Sequence, residues 1–105
     1  MVMDKAKFKV VISPEAEDDI EDVFAYIAFE IMHPSTAERY REEILETIDR
    51  LAILADIFAM SSNEYLRRHY GIDVRTVTCK KMTIIYNIIN GVVYIRRVMA
   101  GSLIL

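Results

Sequence analysis

Residues 74–99 read VRTVTC-KK-MTIIYNII-NG-VVYIRRVM, and this stretch decides how the chain folds. Three runs rich in β-branched and aromatic residues are separated by two short polar breaks, Lys80-Lys81 and Asn90-Gly91. An Asn-Gly pair between two such runs is a strong hairpin signal, because a type I′ turn requires positive φ at both central residues. The stretch therefore predicts a three-stranded antiparallel meander.

A two-residue turn at Asn90-Gly91 also predicts the register of the last two strands. Ile84 then faces Arg97, and Ile85 faces Arg96. One predicted face carries Ile88, Val93, Tyr86, Ile95, Ile84, Arg97, Met82 and Met99, and the other carries Ile89, Val92, Asn87, Tyr94, Ile85, Arg96, Thr83 and Val98. Both faces are apolar near the turn, whereas a solvated face alternates with polar residues. We expect helices over one face and a partly apolar, basic surface on the other, and the pattern leaves open which is which.

A strand and a helix precede the meander. Residues 8–12 predict the first strand, and Ser13-Pro14 ends it and begins a helix, because Ser caps a helix and Pro suits its first position. An apolar stripe at helical spacing follows, formed by Ala16, Ile20, Val23, Phe24, Ile27 and Ile31. Phe29 projects on the opposite side, which marks either a partner surface or a single exposed apolar residue.

A second helix follows a break at His33-Pro34, since the residue before proline avoids helical geometry. Ser35 and Glu38 have the spacing of a capping box at its start. Its apolar stripe is Ala37, Tyr40, Ile44, Ile48, Leu51, Ala55 and Phe58, and Leu45, Ile53 and Ile57 fall outside that stripe. We expect an antiparallel helical hairpin whose second helix packs against both the first helix and the sheet. Residues 59–66 are predicted to form a loop, and Gly71 to permit a turn.

Length and composition predict one domain that spans residues 1–105 and has ample apolar residues for a core, at 53% of the 105 residues. The single cysteine, Cys79, excludes an intrachain disulfide and suits a reducing cytoplasm. No apolar run approaches the roughly 20 residues of a membrane helix, and the N-terminus lacks the pattern of a signal peptide. The sequence thus predicts a soluble, cytoplasmic protein with no membrane partner.

The net charge of −3 hides an asymmetry between the two halves of the chain. Residues 1–64 have a net charge of −9 and residues 65–105 a net charge of +6. Either the sheet half presents a basic surface to an anionic partner, or the two halves neutralise each other in the fold. The sequence leaves both interpretations open.

Motifs for cofactor or metal chemistry are absent from the sequence. There is no glycine-rich phosphate loop, no Cys/His cluster at metal-ligand spacing and no supported Ser-His-Asp arrangement. His33 and His69 are interpreted as capping or surface residues. We therefore expect neither a metal nor another cofactor.

The ordered set of segments resembles the RelE/ParE superfamily of toxins over nearly the whole chain. The resemblance is carried by KVVISPEAEDDI (9–20), YIA (26–28), AER (37–39), VR (74–75), MTIIY (82–86) and VYIRRV (93–98) with Gly101. It implies an α+β fold of the RelE/ParE type: an N-terminal strand, a helical hairpin, and a three-stranded antiparallel meander that completes one sheet. It also implies the toxin half of a type II toxin–antitoxin module, often called a plasmid stabilization protein.

Two branches of the superfamily differ in function, and the sequence is closer to the ParE-like branch. The RelE branch cuts mRNA in the ribosome and often has arginine where this chain has Thr83. That branch also often has histidine, tyrosine or arginine where this chain has Ala100, Ser102 and Leu103, and residues 103–105 (Leu-Ile-Leu) offer no proton-transfer group. These departures favour a ParE-like inhibitor of DNA gyrase, which acts by binding and is not an enzyme. A ribosome-dependent mRNA endoribonuclease and an inactive relative that only binds antitoxin are the alternatives.

Two sets of candidate site residues follow. The basic functional surface is predicted to contain Arg75, Lys80, Lys81, Tyr86, Arg96 and Arg97, with strand-end arginines paired to helix acids as the alternative. The antitoxin is predicted to bind at Phe29, Leu45, Ile53 and Ile57, as a helix followed by an extended stretch along a sheet edge. The expected partners are a cognate antitoxin and either gyrase or the ribosome with its mRNA. The oligomeric state is left open.

Overall fold

A computed structural model describes residues 6–101 and shows an α+β fold with one four-stranded sheet. The elements in chain order are β1 (Lys9–Ile12), α1 (Pro14–Ala25), a π-helical turn (Tyr26–Glu30), α2 (Pro34–Leu54), α3 (Glu64–Tyr70), β2 (Arg75–Cys79), β3 (Met82–Ile89) and β4 (Val92–Ala100). The strand order is β1-β4-β3-β2, with β1 parallel to β4 and the other pairs antiparallel. The predicted fold class and meander are confirmed. Ser102 and residues 103–105, which distinguish this sequence from the RelE branch, lie outside the described residues.

The turn between β3 and β4 has the predicted geometry. Asn90 and Gly91 have φ values of 50° and 78°, as a type I′ turn requires. Beyond the turn, the register agrees with the prediction as far as Tyr86, which pairs with Ile95. Ser13 also acts as predicted, because its Oγ accepts a hydrogen bond from the Ala16 backbone N–H at 3.0 Å.

A β-bulge makes the predicted register wrong in the outer half of the hairpin. Ile85 pairs with Arg97 and Ile84 with Val98, so Arg96 is an extra residue in β4. The predicted pairs of Arg97 with Ile84 and of Arg96 with Ile85 therefore do not form. Because side chains alternate between faces along a strand, the extra residue moves Arg97 to the opposite face and turns Val98 toward the core.

The helical hairpin covers the face of the sheet that carries Tyr86. A core cluster joins both helices to this face, and its fully buried members include Ala16, Ile44, Ile48, Leu51, Ile84, Tyr86, Val93 and Ile95. The other face is partly covered by α3, whose Leu66 packs with Val74 and Ile85. The expected open, basic second face is therefore only partly open.

The short helix α3 was not predicted, and residues 64–66 belong to it rather than to a loop. Asn63 caps its start by accepting a hydrogen bond from the Leu66 N–H at 3.0 Å, and Gly71 ends it with φ of 106°. Seven residues are too few to show a helical period, which explains why the pattern was missed. The start of α2 also differs: His33 is its N-cap and Pro34 its first residue, so the predicted capping box at Ser35 and Glu38 is wrong.

The first helix ends in a wider turn than its apolar pattern predicts. Residues Tyr26–Glu30 form one turn of π-helix, closed by a bond from the Ile31 N–H to the Tyr26 carbonyl at 3.1 Å. The extra residue rotates Ile31 away from the stripe, and this side chain is exposed rather than buried. Met32 follows with φ of 65°, a left-handed conformation that costs a non-glycine residue roughly 1 kcal/mol.

Candidate functional site

The predicted basic residues are divided among the β2 edge, the β2–β3 turn and a pocket that is lined by both Arg96 and Arg97. Arg75 lies at the β2 edge, where its Nη1 donates a hydrogen bond to the Phe58 carbonyl. Lys80 lies at the β2–β3 turn and forms an ion pair with Glu43 of α2 at 3.3 Å. Lys81 is exposed at the same turn. Arg75 and Lys80 are therefore each held by a group within the fold, and neither lines the pocket of Arg96 and Arg97.

Arg97 is bound by a carboxylate of α1. Asp19 accepts hydrogen bonds from Arg97 Nε at 2.7 Å, from Arg97 Nη2 at 2.9 Å and from the Val98 backbone N–H at 2.9 Å. The hydrogen bonds to Asp19 raise the pKa of Arg97 above its ordinary value, so the guanidinium stays charged. This contact closes the edge of β4 beyond the end of β1, and it agrees with the alternative that strand-end arginines pair with helix acids.

Tyr86 is buried and therefore lies on no surface, although Arg75 is its partner across the β2–β3 ladder. Its side chain is 0% exposed, and its hydroxyl donates a hydrogen bond to the Ala55 carbonyl at 2.6 Å. Burial raises the pKa of Tyr86 to about 12, because the phenolate would lose its hydration. Tyr86 therefore joins the sheet to the end of α2 as a neutral phenol.

Arg96 lies on the face that α3 partly covers, within a polar network that the sequence did not reveal. Its Nε donates to Asn87 Oδ1 at 2.8 Å. The Asn87 amide in turn donates to the Tyr70 carbonyl at 2.9 Å and to Asp73 Oδ1 at 3.1 Å. The network depends on α3 and on the bulge, so no local sequence signal could have identified it. It orients Arg96, which lines one pocket together with Arg97 and His69.

The predicted antitoxin residues lie at two ends of the helical hairpin. Phe29 is 74% exposed beside the start of α2, whereas Ile57 is 69% exposed just after its end. The 21 residues of α2 separate these ends by roughly 30 Å at 1.5 Å per residue. Leu45 lies between them in a groove that also contains Ile12 and Ile20. The structure therefore places Leu45 on the side of α2 that faces β1 and α1, Ile53 and Ile57 at the end of α2, and Phe29 apart from all three.

A groove runs between the second half of α2 and the outer edge of β2. Its volume is about 460 Å³, and it is lined by Thr47, Arg50, Leu51, Leu54, Phe58, Thr76, Val77 and Thr78. Met60 forms one bridge with Arg75 at this edge, and the Ser61 N–H donates to the Val74 carbonyl at 2.7 Å. From Thr76 onward no strand among residues 6–101 pairs with this edge. An extended peptide could therefore continue the sheet there.

Two further features concern residues 6–101 as a whole. This part of the chain holds no group of three or more His, Cys, Asp or Glu side chains placed to bind a metal ion. None of its helices combines the length and the apolar character needed to cross a membrane.

Comparison with known proteins identifies a family for this chain. The family model described as "ParE toxin of type II toxin-antitoxin system, parDE" matches residues 10–103. A solved structure titled "Chromosomal ParDE TA system from P. aeruginosa" shares the fold, with a TM-score of 0.70 and 17% identity over 91% of this chain and 98% of that chain. No curated protein matches the sequence significantly. The superfamily resemblance seen in the sequence is confirmed, and the chain belongs to the ParE toxin family of type II toxin–antitoxin systems.

Proposed function

We propose that this chain is a cytoplasmic, single-domain toxin over residues 1–105 that inhibits DNA gyrase by binding it and is neutralised by a cognate antitoxin. The observation that carries the proposal is the match of the ParE toxin family over residues 10–103. The separate placement of Arg75, Lys80 and Arg97 supports inhibition by binding, because metal-free RNA cleavage needs several cations and proton donors around one phosphate.

A supercoiling assay tests the proposed target. Purified protein is incubated with gyrase, ATP and relaxed plasmid, and the supercoiled product is measured with and without the product of the adjacent gene. We expect loss of supercoiling that the adjacent gene product restores. Full supercoiling at a large excess of the protein would contradict gyrase as the target, and primer extension on translated mRNA would then test the nuclease alternative.

We further propose that the antitoxin lies along α2 and continues as a strand on the open edge of β2. Leu45, Ile53 and Ile57 would contact its helical part, and the groove beside residues 76–78 would hold its extended part. Arg50 lines this groove and has no ion pair among residues 6–101, so it suits a carboxylate on the antitoxin. Burial of apolar groups in the groove would contribute about 25 cal/mol per Å².

A charge reversal tests this docking mode. We expect Arg50→Glu to weaken binding of the adjacent gene product by about tenfold, since it places a like charge beside an acidic segment. Arg39→Glu is the matched control, because Arg39 is exposed near the other end of the same helix. Amide exchange should slow in α2 and along β2 on binding. Protection confined to the turns at residues 80–81 and 90–91 would contradict the model.

A further inference from the structure

Four exposed apolar side chains cluster where the helical hairpin reverses direction. We call this cluster the hairpin tip, and it consists of Tyr26, Phe29, Ile31 and Met32, with exposed fractions of 58%, 74%, 48% and 76%. Single exposed apolar residues are common, but a contiguous group of large ones marks an interaction surface. The four residues lie within seven positions of the chain, so the fold presents them together.

The backbone of the hairpin tip is built in a way that exposes these side chains. The π-helical turn Tyr26–Glu30 adds one residue to the last turn of the first helix, and this rotates Ile31 out of the buried stripe. The His33 N–H then bonds to the Ile27 carbonyl at 3.1 Å and holds Met32 between them. Single π turns are uncommon and are frequently found at functional sites.

Met32 occupies a position that glycine normally takes. The residue that ends a helix in the left-handed conformation is usually Gly, because its lack of Cβ removes the steric penalty. Met32 has φ of 65° and a side chain that is 76% exposed. Packing within residues 6–101 therefore does little to offset the backbone strain. A strained residue with an exposed apolar side chain points to a role outside the fold.

Carboxylates determine which partner fits the hairpin tip. Asp22 lies one α-helical turn before Tyr26, and Glu30 ends the π turn that begins at Tyr26, so the two carboxylates flank this side chain along the chain. Neither carboxylate has an ion pair among residues 6–101. A second copy of the chain would bring the same charges face to face across a twofold axis. A partner with an apolar cleft and a basic rim would satisfy both features.

We propose that the hairpin tip is the surface by which the toxin docks on its protein target, with Phe29 and Met32 inserted into an apolar cleft that has a basic rim. This inference rests on the proposed function, because a toxin that acts by binding needs a target surface. Proteins that handle DNA carry basic surfaces for phosphate groups, so an acidic-rimmed tip suits such a target. The tip is roughly 30 Å from Ile57, at the other end of α2.

Two single substitutions separate target binding from folding. Met32→Gly relieves the left-handed strain and removes the exposed side chain, so we expect an equal or higher melting temperature together with weaker target binding. Phe29→Ser removes the most exposed aromatic ring of the tip. Ile72→Ser is the matched control, because Ile72 is 73% exposed beside α3 and is apart from every proposed surface.

The three variants and the wild type are compared in three measurements. Growth arrest is measured after induced expression. Target binding is measured by titrating the immobilised protein with purified gyrase at low and high salt. Antitoxin binding is measured by titration with the adjacent gene product. We expect Met32→Gly and Phe29→Ser to lose about tenfold or more in gyrase affinity and to permit growth. Ile72→Ser should behave as wild type, and all variants should keep antitoxin binding within about twofold. Gyrase affinity of the wild type should fall with salt because of the charged rim.

The outcomes distinguish the inference from the proposed function. If both tip variants retain growth arrest and gyrase affinity, the inference is overturned and the proposed function stands. If the wild type neither arrests growth nor binds gyrase, the proposed function fails and the inference fails with it. If the wild type arrests growth without binding gyrase, and both tip variants abolish the arrest, the hairpin tip docks on a target other than gyrase. Sedimentation of a wild-type dimer that Phe29→Ser converts to a monomer would overturn the inference, because the tip would then be an interface between copies.

Discussion

At the scale of single residues, Tyr86 shows how burial changes the role of a side chain. Its hydroxyl donates to the Ala55 carbonyl at 2.6 Å, and both residues are 0% exposed. Burial raises the pKa of the phenol to about 12, and the positive charge of Arg75 opposes that shift only in part. Tyr86 is thus a structural contact between β3 and the end of α2.

Replacement of this phenol should affect stability in a pH-dependent way. We expect Tyr86→Phe to lower the free energy of unfolding at pH 7 by about 1 kcal/mol, because the buried Ala55 carbonyl loses its donor. In the wild type the phenol titrates near pH 10 when unfolded and near pH 12 when folded. Its contribution is therefore complete below pH 10 and is lost as the pH rises from 10 to 12.

Urea unfolding between pH 7 and pH 12 measures both effects. The free energy of unfolding of the wild type should fall more steeply above pH 10 than that of Tyr86→Phe. Equal slopes for the two proteins in this range would show that Tyr86 is not the buried titrating group.

At the scale of elements, the β3–β4 hairpin combines a turn that follows from two residues with a bulge that does not. Gly91 has φ of 78°, and a Cβ added there would meet no atom within 4 Å. Any cost of a larger residue at this position therefore comes from the backbone alone. The bulge at Arg96, by contrast, allows Val98 to face the core and Arg97 to reach Asp19.

Alanine at the two glycines of this hairpin should have unequal effects. We expect Gly91→Ala to lower the free energy of unfolding by about 1 kcal/mol, because alanine avoids the left-handed conformation. Gly101→Ala is the control: its Cβ would meet the Lys81 carbonyl and Thr83 Oγ1 at 3.5 and 3.6 Å, which are ordinary contacts. Its effect should stay within about 0.5 kcal/mol. Thermal unfolding measures both, and equal losses would contradict a turn that depends on positive φ.

At the scale of the whole molecule, the acidic helices and the basic strands partly neutralise each other. Arg97 pairs with Asp19 of α1, and Lys80 pairs with Glu43 of α2. Thr83, at the position where the resemblance expects arginine in nucleases, is buried. Arg75 and Lys80 therefore lie apart from Arg96 and Arg97. These two arginines line one pocket, but each already donates to a group of the fold, Asn87 or Asp19.

This distribution predicts that the protein does not cleave mRNA on the ribosome. We expect primer extension on translated mRNA to show no new ends at near-stoichiometric protein, because cleavage without a metal requires clustered cations and proton-transfer groups. A preparation of an active ribosome-dependent nuclease is the positive control. Cleavage that Arg75→Ala abolishes would overturn this prediction.

The sequence by itself determined the features that depend on neighbouring residues. The cap at Ser13, the turn at Asn90-Gly91, the strands of the meander and the two long helices each arise from preferences within a few positions. The ordered set of these segments was also enough to identify the superfamily, since a family pattern is a property of the sequence.

Only the tertiary structure decided the features that depend on residues far apart in the chain. Arg97 meets Asp19 across 78 positions, and Tyr86 meets Ala55 across 31. A bulge of one residue reversed the side of β4 on which Arg97 lies, and a π turn exposed Ile31. Such irregularities hardly change the helix or strand preferences of neighbouring residues, so these preferences do not predict them. Packing of the core selects them, because burial of Val98 and Tyr86 outweighs the small cost of one displaced residue.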